Sequence, residues 1–149
     1  MDVYCSLLAT DSYLPGLLCL HASLRQYTKR TLVILITPNI SRVTLLHLRQ
    51  LTYCVLHLVP HIGKPNLSTG SWEESQYTKL HLWTLTQYRK VFYVDADCLV
   101  VSKDIEGIFE LDSQFAAAPD VFPPDCFNAG VLLVKPSLEK FVKLMTLIP

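Results

Sequence analysis

Short apolar runs alternate with helix-like patterns along the whole chain. Six runs have the length and composition of strands, and several are continuously apolar, which is typical of strands buried on both faces. The predicted strands are Val3–Ala9, Thr31–Thr37, Cys54–Val59, Val91–Val94, Phe115–Ala118 and Ala129–Val134. The predicted helices between them are Tyr13–Tyr27, Ser41–Thr52 and Ser75–Tyr88, with a short helical turn at Ile105–Phe109 and a loop at His61–Ser71.

The last segment has the clearest helical signature. Pro136 ends the preceding strand, Ser137 is suited to the N-cap, and Glu139 suits the positive end of a helix. One apolar face follows at helical spacing, formed by Leu138, Phe141, Val142 and Met145. The strand–helix alternation predicts an α/β fold, a mainly parallel sheet flanked by helices, in a single domain of residues 1–149.

Composition narrows the class of protein. Half of the residues are apolar, 17% are charged and the mean hydropathy is +0.30, so the chain must bury a core. Thirteen basic residues balance thirteen acidic ones, which argues against nucleic acid or an anionic membrane as partner. No apolar run approaches the roughly 20 residues of a spanning helix, and no basic segment opens the chain. We therefore expect a cytoplasmic protein. Its five cysteines are scattered without a C-x-x-C pair, which favours neither a disulfide framework nor a zinc site.

The strongest candidate chemistry follows the strand Val91–Val94. In parallel sheets ligands bind beyond the carboxyl ends of the strands, and Asp95-Ala96-Asp97 stands at such an end. In an extended chain the two carboxylates would point to the same side. They would repel each other unless neutralised, and a hard divalent ion such as Mg²⁺ or Mn²⁺ would neutralise them. The alternative interpretation is a solvated turn that caps the next helix.

Three other segments carry weaker signals. Thr10–Tyr13 follows the first strand, and Tyr13 offers a stacking face for a base; the alternative is an ordinary helix cap. In Asp125–Gly130 small residues permit close approach of a ligand and Asn128 supplies a donor and an acceptor; the alternative is a glycine-containing turn. Lys79 would meet phosphate as a point charge, or else lie on a solvated helix face.

These segments together resemble glycosyltransferase family 8, the family of the glycogenins, which are retaining enzymes with a GT-A fold. The similarity lies in residues 7–13, 78–88, 91–101, 117–120 and 124–131. It covers nearly the whole chain and is weakest between about Val43 and Glu74. The resemblance implies a Rossmann-like GT-A sheet that binds a nucleotide sugar.

The resemblance also implies residue roles. Asp95 and Asp97 would hold Mn²⁺, with Mg²⁺ as the alternative ion, and through it the diphosphate of UDP-glucose. The implied contacts to the donor are Leu7, Thr10 and Tyr13 at the uridine, Ala96 through its backbone at the ribose, Lys79 at the diphosphate or glucose, and Asn128 and Ala129 at the glucose. The family transfers glucose with retention to a tyrosine hydroxyl and then to the growing glucan. No catalytic base is assigned from the sequence.

The departures from the family shape the expected activity. Ala129 stands where the glycogenins have serine, and Gly70 lies near the position of a family arginine. The family's D-Q-G segment, its metal-binding histidine and its acceptor tyrosine have no counterpart, and all five histidines precede the D-x-D motif. We therefore expect a domain that is incomplete at its C-terminal side. Two alternatives stay open: an inactive nucleotide-sugar-binding relative that forms a homodimer or pairs with a full-length relative, and a family 8 hexosyltransferase with another sugar or acceptor.

Overall fold

The computed structural model describes residues 1–63, 76–121 and 126–148, and six strands and three α-helices lie wholly within them. The strands are β1 (Asp2–Leu8), β2 (Leu32–Ile36), β3 (Cys54–Leu58), β4 (Lys90–Val94), β5 (Phe115–Pro119) and β6 (Phe127–Val134). The α-helices are α1 (Leu14–Arg25), α2 (Arg42–Leu48) and α3 (Leu138–Met145), and 3-10 segments cover Asp11–Tyr13, Lys79–Thr84 and Lys103–Glu110. None of the described helices has the length and apolar character needed to cross a bilayer.

One sheet joins all six strands in the order β3-β2-β1-β4-β6-β5. The four strands β3, β2, β1 and β4 run parallel, while β6 lies antiparallel to both β4 and β5. The predicted mainly parallel sheet is thus confirmed. The chain proceeds from β1 outward to β3 and then returns to place β4 on the other side of β1. Strand order therefore reverses between β1 and β4, which is where such sheets form a ligand crevice.

The continuous apolar runs are explained by burial on both faces of the sheet. Every residue of β1, β2 and β4 is buried. In β2, Ile34 packs on the α1 side of the sheet, while Val33 and Leu35 pack on the other side. The first cluster includes Leu17, Leu20 and Leu24 of α1, and the second includes Leu82, Trp83 and Leu85 around the Lys79–Thr84 segment. Because side chains alternate along a strand, a strand covered on both faces does not show the alternation of apolar and polar residues seen in half-exposed strands.

Several element boundaries differ from those predicted. The helix predicted from Tyr13 begins as a 3-10 turn, and α1 proper starts at Leu14 with a proline in its first turn. The helix predicted to reach Thr52 ends at Leu48, and the chain turns at Tyr53, whose φ of 55° is left-handed, to enter β3. A strand predicted from Ala129 begins two residues earlier, at Phe127, because β6 continues past a register shift in its pairing with β5.

The helix predicted over Ser75–Tyr88 ends earlier, and its last part is more tightly wound, than its pattern indicates. Residues 76–78 are helical, Lys79–Thr84 form a 3-10 helix, and the chain leaves it at Leu85. Ser75 and residues 64–71 of the predicted loop lie outside the described residues. The helical turn predicted at Ile105–Phe109 is present as the longer 3-10 segment Lys103–Glu110.

The C-terminal helix forms as predicted. The Ser137 side chain accepts the backbone N–H of Lys140 at 3.3 Å, so the N-cap is confirmed. The Phe141 ring stacks on His81 with ring centroids 5.7 Å apart, which packs α3 against the Lys79–Thr84 segment. Leu138 and Val142 stay 57% and 60% exposed, so the predicted apolar face is covered only in part. All five cysteines are free, as expected from their scatter.

Two carboxylates, Glu106 and Asp2, form hydrogen bonds and ion pairs near the amino ends of the central strands. The Glu106 carboxylate accepts the Tyr4 hydroxyl at 2.7 Å and the Arg30 guanidinium at 2.8 Å. Desolvation raises the pKa of Glu106, but the hydrogen bonds from Arg30 and Tyr4 outweigh it, so the pKa lies below its ordinary value. Asp2 shows the same balance. Burial raises its pKa, but the hydrogen bond from Arg89 at 2.9 Å and the positive charge of Arg89 lower the pKa below its ordinary value.

We expect the free energy of unfolding to fall on acidification. A carboxylate whose pKa is lower in the folded state contributes stability above its unfolded pKa and loses it as the pH falls through the folded pKa. For Asp2 and Glu106 that window lies below their ordinary pKa values of 3.8 and 4.5. Urea unfolding at a series of pH values measures the slope. The double variant Asp2→Asn/Glu106→Gln should flatten it, and an unchanged slope would contradict the account.

Candidate functional site

The D-x-D motif lies in the crevice where strand order reverses. Asp95 follows β4 directly, and its backbone N–H donates to the Gly130 carbonyl of β6 at 2.8 Å. The Cys98 N–H donates to the Asp95 carbonyl at 3.2 Å, so residues 95–98 form a turn. The expectation of an extended motif is therefore wrong, because the chain reverses as soon as it leaves the sheet. Within this turn Asp95 is half-buried, Ala96 is buried and Asp97 is exposed.

Asp95 is paired with a buried lysine. Lys79 Nζ lies 2.8 Å from Asp95 Oδ1, and the Lys79 side chain is only 8% exposed. The same ammonium donates to the Ala129 carbonyl at 3.3 Å and lies 5.3 Å from the centre of the Tyr93 ring. Lys79 is thus not on a solvated helix face. A buried charge needs a partner of opposite sign, and Asp95 supplies it.

Tyr93 completes the surroundings of the Asp95 carboxylate. Its hydroxyl donates to Asp95 Oδ1 at 2.5 Å. Burial, followed by the charge and hydrogen bond of Asp95, raises the pKa of Tyr93 well above its ordinary value. The hydroxyl therefore stays protonated and acts as a donor. Sequence reasoning missed Tyr93, although its position two residues before Asp95 on a strand places both side chains on one face.

Gly130 allows β6 to approach the motif. A Cβ built on Gly130 would lie 2.8 Å from both Asp95 Oδ2 and Asn128 Oδ1, so no larger residue fits without movement. The Gly130 N–H donates to Asn128 Oδ1 at 2.7 Å, and Asn128 Nδ2 lies 3.4 Å from Asp120 Oδ2. Gly130 was predicted to allow the close approach of a ligand; in the structure it allows the close approach of the Asp95 side chain. Asn128 is exposed and Ala129 half-buried beside it, while Asp125 lies outside the described residues.

Helix α1 packs against the other side of the turn. A Cβ on Gly16 would lie 2.7 Å from the Ala96 carbonyl oxygen and 3.4 Å from the Asp97 Cα. The absence of a side chain at Gly16 therefore lets the first turn of α1 contact the backbone of Ala96 and Asp97. This contact holds the Asp95–Cys98 turn between α1 and β6.

The loop after β1 lies at the same carboxyl edge of the sheet. Tyr13 is 49% exposed there, and the hydroxyls of Thr10 and Ser12 are hydrogen-bonded at 2.7 Å. Thr10 makes no side-chain cap of the 3-10 turn that follows. Leu7 is buried at 7% exposure among the apolar residues beneath the site, so its side chain offers a ligand little surface.

The donor set suits a divalent ion only in part. Among residues 1–63, 76–121 and 126–148, no group of three or more His, Cys, Asp or Glu side chains is placed to hold a metal ion. Asp95 and Asp97 offer carboxylate oxygens within one turn. Hard divalent ions bound by one or two carboxylates take their other ligands from substrate phosphates and water. The two carboxylates therefore fit an ion that arrives with a diphosphate.

Two of the histidines, His21 and His81, form hydrogen bonds with backbone carbonyls. His21 Nε2 lies 3.0 Å from the Thr52 carbonyl, and His81 Nε2 lies 3.0 Å from the Pro60 carbonyl. Burial lowers the pKa of His81, which a hydrogen bond to Pro60 offsets only in part. Both side chains join separate segments of the fold.

Comparison with solved structures identifies the fold class. The chain superposes on a bifunctional glycosyltransferase, WbbM, with a TM-score of 0.73 over 97% of this chain and 34% of that one, at 18% identity. It superposes on the galactosyltransferase LgtC with a TM-score of 0.65 over 100% of this chain and 66% of that one, at 19% identity. The fold is thus the GT-A type of glycosyltransferases, a Rossmann-like, mainly parallel sheet flanked by helices.

Sequence comparison identifies the family. The family model "Glycosyl transferase family 8" matches residues 4–146, and the chain belongs to that family. It is 38% identical to a glycogenin of Neurospora crassa over 98% of this chain and 22% of the relative. It is 34% identical to glycogenin-1 of Mus musculus over 98% of this chain and 45% of the relative. The chain therefore spans less than half the length of these relatives.

We expect Gly16→Ala to destabilise the fold by about 1–3 kcal/mol, because the new methyl group meets backbone and the helix must move away from Ala96. Gly107→Ala is the matched control, since a Cβ there has no atom within 4 Å. The control should leave stability unchanged or raise it by up to about 1 kcal/mol. Urea unfolding of both variants measures the difference, and equal effects would contradict the close contact.

Proposed function

We propose that the chain forms the donor-binding part of a retaining glucosyltransferase. It takes glucose from UDP-glucose to a tyrosine hydroxyl or a short glucan and so primes glycogen synthesis. The observation that carries the proposal is the pair of carboxylates, Asp95 and Asp97, in the crevice between β1 and β4, with the buried ammonium of Lys79 against Asp95. The similarity to glycogenins over 98% of the chain supports this choice of donor and acceptor.

The carboxylates would hold Mn²⁺, with Mg²⁺ as the alternative ion. When bound, the ion stabilises negative charge on the departing diphosphate. Asp97 is exposed, so its carboxylate would be open to an incoming ligand. Asp95 is kept in place by Lys79 and Tyr93. Lys79 thus orients a ligand-binding carboxylate and adds positive charge where the diphosphate would lie.

The remaining site residues would bind the two ends of the donor. At the uridine end, Tyr13 would offer its exposed ring for stacking and Thr10 its hydroxyl, and Leu7, which is nearly buried, would add little side-chain contact. At the sugar end, Asn128 and Ala129 lie on β6 beside the Lys79 ammonium. The backbone of Ala96 would contact the ribose.

The proposed transfer exchanges one bond for another at the anomeric carbon. The bond from glucose C1 to the diphosphate oxygen breaks, and a bond from C1 to the acceptor hydroxyl oxygen forms on the same face of the sugar. UDP leaves with the bonding electron pair, and the acceptor hydroxyl gives its proton to the departing diphosphate oxygen or to water. The chain's contribution is to orient the donor and to place positive charge near the departing oxygen.

A second candidate function is nucleotide-sugar binding without transfer. The observation that favours it is the two-carboxylate donor set, because the described part of the chain adds no third metal-binding side chain. In this case the chain would act as a homodimer or paired with a longer relative. A transfer of another sugar is the remaining alternative; a relative 32% identical over 93% of this chain is named UDP-glucuronate:xylan alpha-glucuronosyltransferase 2, from Arabidopsis thaliana.

We expect UDP to bind in a Mn²⁺-dependent manner, and Asp97→Asn to weaken that binding by at least about tenfold, since it removes a charged oxygen ligand. Asp112→Asn is the matched control. Asp112 is also exposed but lies far from the D-x-D motif along β4. The residue before it, Leu111, accepts a hydrogen bond through its carbonyl from Lys90, at the opposite end of that strand. Isothermal titration calorimetry with and without Mn²⁺ measures both. Equal affinities for the two variants would overturn the site assignment.

We expect transfer from radiolabelled UDP-glucose to an added maltoside if the chain is a complete catalyst of the proposed reaction. Product counts with Mn²⁺ and with chelator measure it, and Asp97→Asn should abolish the signal. UDP binding without transfer would instead favour the second candidate function. Transfer from UDP-galactose or UDP-glucuronate at a higher rate would show that the donor sugar was wrongly chosen.

A further inference from the structure

Two hydrogen bonds fasten the loop after β1 to the loop after β2. The Thr37 hydroxyl, in a residue only 1% exposed, donates to the Ala9 carbonyl at 2.9 Å. Two residues further along the first loop, Asp11 Oδ1 accepts the backbone N–H of Ser41 at 3.0 Å. The second loop is itself closed by the Ile40 N–H, which donates to the Thr37 carbonyl at 3.2 Å. The first loop is therefore tied to a second rigid segment at two points.

The hydrogen bond at Asp11 connects the first loop to the start of α2. Ser41 is the N-cap of α2, and its side chain accepts the Thr44 N–H at 3.2 Å. Hydrogen bonds from the Ser41 backbone and from the Thr44 and Ser41 hydroxyls hold the pKa of Asp11 below its ordinary value. The carboxylate thus stays ionised and directed toward α2.

The same carboxylate sits in the middle of the candidate nucleoside loop. Asp11 is flanked by Thr10 and Ser12, whose hydroxyls are bonded at 2.7 Å, and the Tyr13 N–H donates to the Thr10 carbonyl at 3.3 Å. The Asp11 side chain connects this turn to another element, the start of α2. Movement of Asp11 away from Ser41 would therefore displace Thr10 and Tyr13 together.

We propose that Asp11 is a positioning residue for the nucleoside end of a nucleoside diphosphate sugar: by accepting the Ser41 N–H it holds the Thr10–Tyr13 turn in its binding geometry. The inference rests on the proposed function, in which this turn holds the uridine. A loop that is already ordered loses less conformational entropy on binding, so the tie raises affinity without touching the ligand. The carboxylate at the diphosphate end, Asp95 after β4, is held by different contacts, those with Lys79 and Tyr93.

The experiment compares two ligands across three variants. Calorimetry with Mn²⁺ measures the affinities for UDP and for inorganic diphosphate in the unchanged protein, Asp11→Ala, Asp11→Asn and Ser137→Ala. Asp11→Ala should weaken UDP about fivefold, the usual value of such a hydrogen bond, and leave diphosphate unchanged. Asp11→Asn keeps an oxygen acceptor and should stay within about twofold. Ser137→Ala removes the cap of α3 and should lower the melting temperature without changing the UDP affinity.

The outcomes separate this inference from the function on which it rests. No UDP binding by the unchanged protein overturns the proposed function itself. UDP binding that is equally tight in Asp11→Ala overturns only the role of Asp11. Equal weakening of UDP and diphosphate in Asp11→Ala also contradicts it, because the effect would then not be confined to the nucleoside end. A loss in Asp11→Asn as large as in Asp11→Ala contradicts it too, because the charge would then act and not the hydrogen bond to Ser41.

Discussion

The ion pair between Lys79 and Asp95 is the interaction on which the site depends. It joins the 3-10 segment Lys79–Thr84 to the end of β4, and the lysine also reaches the Ala129 carbonyl of β6. A buried ammonium without a partner would be costly, and so would a carboxylate left near the end of a buried strand. Their mutual attraction offsets the desolvation cost of both charges. The pair therefore allows charged chemistry at the edge of an apolar sheet.

The backbone around this pair is shaped by two glycines. Gly130 lets β6 approach the Asp95 carboxylate, and Gly16 lets α1 approach the turn that follows it. The turn at residues 95–98 is thus held on two sides, and Asp97 is left exposed at its tip. One carboxylate is fixed by protein contacts while the other faces solvent. This asymmetry suits a site in which the metal ion and the diphosphate bind together.

Much of the fold could be predicted from the sequence because burial of the strands on both faces leaves a plain signal. Runs such as Thr31–Thr37 contain no charged residue, and the polar residues that follow them mark the strand ends. The position of Asp95 at the end of β4 could be predicted for this reason. The extended conformation of the D-x-D motif was wrongly predicted, because the sequence does not show that the chain turns as soon as it leaves the sheet.

The contacts within the site could not be predicted, because they join residues distant in the chain. Lys79 and Asp95 are separated by 16 positions, and Asp11 and Ser41 by 30. The helical pattern around Lys79 did not indicate that its side chain faces the sheet, because lysine side chains are usually exposed. Tyr93 resembled an ordinary core aromatic of a buried strand. Only the strand order, with β4 beside β1, brings these groups to one crevice.

Asp95 and Asp97 are proposed to bind a divalent ion together with a nucleoside diphosphate. Broadening of backbone amide resonances by substoichiometric Mn²⁺ in the presence of UDP locates the bound ion. We expect the broadening to begin at Asp95–Cys98 and at the two neighbours of this turn, Gly16 and Gly130. Broadening that begins instead at exposed carboxylates elsewhere, such as Asp112 or Glu139, would contradict it.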